Sequence, residues 1–165
     1  MDWETYINLD LPIVKNYDNR YEQSSLEELK DLCSKNDPIA LNEMGNRYRR
    51  GDGVEENVDK AMKCYEQLLK YQKHTRALYF MGLIFLEDIK SADCEKCFRL
   101  GSDLGDSDCS REMGELYRSG DYIEENPEQA VYFFKLSAEQ GDITSLVSAG
   151  EVCLDEKNLI EHLIF

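Results

Sequence analysis

Few residues in this chain have both the type and the spacing to do chemistry. Cys94-Glu95-Lys96-Cys97 has the CxxC spacing of a redox dithiol or of half a zinc site. A redox dithiol of the thioredoxin kind needs alternating strands and helices around it, and a zinc ion needs two more ligands at matching intervals. Neither pattern is present. The two histidines, His74 and His162, are not placed to build a Ser-His-Asp or Cys-His arrangement. Glu55-Glu56-Asn57 recurs as Glu124-Glu125-Asn126, but calcium asks for a denser set of oxygens. Acidic residues ahead of a helix answer more simply to its dipole. We therefore expect no catalytic residue, no metal and no cofactor, and we read Cys94 and Cys97 as small core side chains.

Bulk properties narrow the classes further. The chain has 165 residues, 42% of them hydrophobic and 10% aromatic, enough for one folded domain or one short array. Its 34 acidic and 19 basic residues leave a net charge of -15. That field repels nucleic-acid and anionic membrane surfaces and favours encounter with basic partners. No basic-then-apolar leader follows Met1, and no run approaches the ~18 apolar residues of a membrane span. With six cysteines at irregular intervals, the expectation is an unprocessed cytoplasmic chain with reduced thiols.

The elements that position these residues announce themselves as a repeat. Residues 44–57 read MGNRYRRGDGVEEN and residues 113–126 read MGELYRSGDYIEEN, with nine of the fourteen positions identical. Met81-Gly82 falls between them, and Ala149-Gly150 continues the series. Ala40, Met44 and Tyr48 recur at helical spacing, as do Ala77, Met81 and Phe85, and Cys109, Met113 and Tyr117. Each such helix is followed by a second, marked by Ala61-x-x-Cys64-Tyr65, Cys94-x-x-Cys97-Phe98 and Ala130-x-x-Phe133-Phe134. The glycine beside each Met allows close helix contact against its helix-propensity cost of ~1 kcal/mol. Gly51, Gly53 and Gly120 are placed to end first helices, Gly105 and Gly141 second ones, and Pro127 to open one.

Residues 40–65, including Gly51-Asp52-Gly53-Val54 and Lys60-Ala61, resemble the Sel-one-like repeat family, relatives of the tetratricopeptide repeat. Residues 109–134 match with Tyr122 in place of the second loop glycine, and the middle unit is about four residues short. The resemblance implies an all-α, right-handed α-solenoid of antiparallel helix hairpins, about nine helices and no sheet. The expected organisation is an N-terminal cap at 1–23, a degenerate half repeat at 24–36, and repeats at 37–72, 73–105 and 106–141. A truncated repeat spans 142–165.

The Ser24-Ser25-Leu26-Glu27 segment is expected to cap the first helix, and Asn36 to take a left-handed turn. Trp3, Tyr6, Leu9, Leu11, Ile13 and Val14 are expected to cover the first hydrophobic edge. The apolar end from Leu159 to Phe165 must pack or associate.

First helices line the concave surface in arrays of this kind. Carrying over their inward positions marks Asn42, Asn46, Arg49, Arg50, Arg76, Tyr79, Leu83 and Leu86. Arg111, Glu115, Arg118, Val147, Glu151 and Leu154 follow. The expected function is a non-enzymatic adaptor that binds a peptide or partner protein, with Arg forks for carboxylates and Tyr79 and Leu83 for an apolar group. Two other readings stand beside it. The arginines would instead pair with the chain's own acids, or the chain would be an acidic inhibitor or immunity protein that neutralises a basic toxin or nuclease. Neither nucleic acid nor membrane is an expected partner, and the sequence leaves the oligomeric state open.

Overall fold

The computed structural model describes residue 5 and residues 9–14, 20–87 and 91–164, leaving aside the side chains of 91, 156 and 158–164. Trp3, Tyr6 and the terminal apolar side chains lie outside those residues. Eight helices form among the described residues: α1 (Leu26–Ser34), α2 (Pro38–Arg50), α3 (Val58–Leu69), α4 (Thr75–Glu87), α5 (Ser91–Asp103), α6 (Ser107–Ser119), α7 (Pro127–Glu139) and α8 (Ser145–Ile164). The expectation of no sheet is corrected by one short element. Strand β1 (Ile13–Val14) pairs in parallel with β2 (Lys73–His74), and the Lys73 amide donates to the Pro12 carbonyl at 2.8 Å. Pro12 lacks an N–H and disfavours helix, and β-branched Ile13 and Val14 suit extended backbone. Leu9 and Ile13, expected over an apolar edge, are half exposed.

Helix boundaries follow side-chain capping. Ser25 caps α1 by accepting from the Glu28 amide at 3.2 Å, one residue later than the Ser24–Glu27 box. Asp37 and Asp106 cap the first helices α2 and α6, and Asn57 and Asn126 cap the second helices α3 and α7. The glutamates before both asparagines are exposed. Helices α2 and α6 stop at Gly51 and Gly120, both left-handed at φ 73° and 67°. Asn36 takes the left-handed turn at φ 59°. Only three residues separate Glu87 from Ser91, against seven between α2 and α3 or between α6 and α7, so the middle linker is four shorter.

The chain divides into two compact units, residues 1–81 and 82–165. In the first, Leu29, Ala40 and Met44 form a core joined by Tyr21, Leu32, Cys33, Tyr48, Val54 and Cys64. Tyr65 is fully buried against α2, its hydroxyl donating to Asn46 Oδ1 at 2.9 Å. In the second, Ala130, Phe134, Ala149 and Val152 pack together beneath Tyr117 and Val131. A buried polar chain runs beside them. Ser102 and Ser110 share a hydrogen bond at 2.7 Å, Ser110 donates to Gln140 Oε1 at 2.5 Å, and Gln140 Nε2 returns to the Ser102 carbonyl at 2.9 Å. Ser137 Oγ donates to the Ser107 carbonyl and Ser145 Oγ to Ser137 Oγ, so α6, α7 and α8 are tied at their turns.

Candidate protein-binding surface

In the first unit, α2 and α4 bring cations onto aromatic faces. The Arg49 guanidinium lies 4.3 Å from the centre of the Phe80 ring, and Arg76 lies 5.1 Å from the same ring and 4.6 Å from Tyr79. Phe80 packs against Tyr79 at 5.4 Å and stacks on Tyr65 at 6.0 Å. Arg49 Nε is buried with no hydrogen-bond partner among the described residues. Burial pushes the Tyr65 hydroxyl well above its ordinary pKa, against the opposing pull of Arg49. A guanidinium over a ring face is attracted by the ring's quadrupole.

Two of the marked residues are interior. Asn42 and Asn46 are 2% and 1% exposed, Asn46 holding Tyr65 and Asn42 Oδ1 having no hydrogen-bond partner among the described residues. Solvent-facing contact from these two is blocked because the neighbouring side chains already cover them. Arg50 is exposed, 3.8 Å from Asp52.

In the second unit the arginines are engaged by the chain's own acids. Arg111 sits 3.2 Å from Asp108, 3.1 Å from Glu112 and 3.6 Å from Asp142. Burial raises the Glu112 carboxyl, while hydrogen bonding to Thr144 is the leading cause of a lowered Asp142. Arg118 makes a 2.6 Å pair with Glu115 and reaches Glu151 at 3.6 Å. Leu83 and Leu86 are half-buried, and Val147 and Leu154 are exposed.

The sequence reading passed over Phe80, Arg47 and Arg99. Phe80 occupies the register of Glu43 and Glu112, so the repeat alignment carried the signal: an acid that pairs with arginine elsewhere is here a ring. Arg47 pairs with Glu43 at 2.9 Å, both nearly buried, and its Nη2 donates to the Glu22 and Ser24 carbonyls at 2.8 and 2.9 Å. Glu22, Glu43 and Arg47, with Gln23, Arg50, Asp52 and Gly53, line a polar cleft of about 330 Å³. Arg99 bridges Glu95 and the Tyr117 hydroxyl, each at 2.8 Å.

Cys94 and Cys97 are both fully buried in the second unit, and all six cysteines are thiols. Among the described residues no three His, Cys, Asp or Glu side chains are grouped to hold a metal ion. No helix among them is long and apolar enough to cross a membrane.

The Sel1 repeat family model matches residues 38–69, 75–106 and 107–142, together more than half of the chain. The chain belongs to the Sel1 repeat family. Sel1 repeat proteins generally bind other proteins and are generally non-catalytic. Solved structures agree on the fold, an all-α solenoid of helix hairpins. A Sel1 repeat protein from Oxalobacter formigenes is 21% identical with a TM-score of 0.66, over 76% of this chain and 53% of that one. A protective antigen of uropathogenic Escherichia coli, displaying a Sel1-like repeat fold, is 24% identical with a TM-score of 0.68, over 76% of this chain and 30% of its own. The present Sel1 repeat chain thus spans about half of one relative and under a third of the other. Among curated proteins no match is found.

Proposed function

We propose that this Sel1 repeat chain is a non-enzymatic, cytoplasmic adaptor that grips a peptide or partner domain on the concave face of its first helices. Within that face, the contact centres on Arg49, Arg76 and Tyr79. The carrying observation is the pair of guanidinium groups on Phe80, with Arg49 Nε buried and lacking a hydrogen-bond partner among the described residues. An arginine held on a ring is oriented before binding, so it loses little entropy when it takes a carboxylate. An acidic peptide bearing one apolar residue fits this chemistry, its carboxylates on the arginines and its apolar group against Tyr79. In the second unit, Arg111 and Arg118 are already balanced by the chain's own acids.

A second reading has its own support. With Arg111 and Arg118 neutralised internally, the surface keeps the acidity of a net charge of -15, which suits a basic toxin or nuclease. One measurement separates the two. Losing a charge-assisted hydrogen bond costs about 1.5–3 kcal/mol, so Arg49→Ala with Arg76→Ala should weaken an acidic peptide selected from a display library by about 100-fold. Far-ultraviolet circular dichroism should be unchanged in the same variant. Equal affinity after the double substitution, or tighter binding of a basic protein instead, rejects the arginine site and favours the acidic surface.

A further inference from the structure

Three glycines at one register position each have an aromatic ring seated on them by the following helix. A Cβ added at Gly45 would meet Tyr65 at 2.6 Å, one at Gly82 would meet Phe98 at 2.4 Å, and one at Gly114 would meet Phe134 at 2.7 Å. Gly150 of α8 occupies the same position, and a Cβ there would meet nothing within 4 Å among the described residues. Around it the apolar face is open. Ile143 is 71% exposed, Leu146 50%, Val147 66% and Leu154 61%. In the repeat register Leu146 answers to Leu41 and Leu78, which are 2% and 0% exposed. The other face of α8 is already packed, through Ala149 and Val152 onto Ala130 and Phe134 of α7. The open face therefore continues an existing helix interface, and it keeps the residue types of a covered one. A glycine inside an exposed helix lowers helix stability and brings no packing return unless another group comes close.

We propose that this face of α8 is a docking surface for an amphipathic helix of a partner protein, presenting an aromatic ring between basic flanks, with the ring seated on Gly150. The ring is read from Tyr65, Phe98 and Phe134, which fill the equivalent position in this same chain. The basic flanks follow from charge. Asp155 and the 57%-exposed Glu151, which Arg118 reaches only at 3.6 Å, border the face against Lys157, on a chain of net charge -15. Exposed apolar residues at helical spacing are the mark of a helix-in-groove contact, with the aromatic residue as its anchor. This surface lies in the second unit and is independent of the Arg49 and Arg76 site.

The test uses the full chain and a fluorescent peptide of its own residues 57–72, which carries Ala61 and Tyr65 with Lys60, Lys63 and Lys70. Saturable binding is expected, weakened at least about tenfold by Gly150→Leu in the chain and equally by Tyr65→Ala in the peptide. The Arg49→Ala, Arg76→Ala variant should bind this peptide as the parent chain does, which keeps the two sites distinguishable. Thermal melting checks that Gly150→Leu remains folded, as its open surroundings imply. Binding indifferent to Gly150→Leu, or no saturation up to about 1 mM, overturns the proposal. So does a chain that sediments as a dimer and becomes monomeric in Gly150→Leu, because a second copy would then occupy the face.

Discussion

A single hydrogen distinguishes Gly45 and Gly114 from alanine, and the ring packed on each leaves no room for more. Tyr65 and Phe134 are fully buried, so neither ring can swing into solvent when a larger side chain arrives. Gly45→Leu and Gly114→Leu should each destabilise the chain by about 1–3 kcal/mol, read as a lower urea midpoint. Unchanged midpoints in both would mean that the rings do not press on these positions. The same register explains why Cys94 and Cys97 are packing groups: they stand where Ala130 and Phe133 stand, and all four are buried. At this scale the sequence was legible wherever the repeat supplied a comparison, as with the glycines. Phe80 could be read the same way, because Glu43 and Glu112 show what it replaced.

At the scale of the element, the second helices α3 and α7 each have one side chain capping their first turn. Asn57 Oδ1 accepts from the Lys60 amide at 2.9 Å and Asn126 Oδ1 from the Gln129 amide at 3.0 Å. The backbones of the same residues donate to the Tyr48 and Tyr117 carbonyls at 2.8 and 2.9 Å, which closes each loop onto its first helix. Asn57→Ala and Asn126→Ala should therefore cost about 1 kcal/mol each, and substitution by glycine only a few tenths. Equal losses for alanine and glycine would place the effect in the loop backbone and not in the cap. The sequence marked both asparagines but credited the preceding glutamates with the helix dipole. The hydrogen bond is directional and short-ranged, so only coordinates identify its acceptor.

Across the whole molecule, half-buried thiols link stability to alkaline pH. Burial, with smaller contributions from Cys64 and Asp37, pushes Cys33 from an ordinary 9.0 up to about 12, and burial pushes Cys64 to about 11. Below pH 9 both thiols are neutral in the folded and unfolded chain, so their contribution is fully present. Above it the unfolded chain sheds protons that the folded chain keeps, and stability falls as pH rises through the window from 9.0 to about 11–12. The urea midpoint should drop between about pH 8 and about pH 10.5, and Cys33→Ala with Cys64→Ala should flatten that drop. An equally steep fall in the double variant would assign the loss to other groups.

What the sequence determined by itself was periodic. Met-Gly at 44, 81 and 113, the aromatic at the facing position of each second helix, and Gly or Asn at the turns are local patterns. A helix repeats every 3.6 residues whatever surrounds it, so these patterns specify hairpins and their class before any contact is known. What only the tertiary structure decided was pairing between distant residues. Arg111 meets Asp142 in the turn before α8, and Arg118 meets Glu151 of α8, each about thirty residues away in sequence. Arg49 and Arg76 both reach the Phe80 ring. Charge acts over a few ångströms of space and not over sequence, so equal-looking arginines became internal ties in one unit and ring-held cations in the other. Likewise, Leu146 and Gly150 read as core in the register, and only the fold shows them uncovered by the described residues.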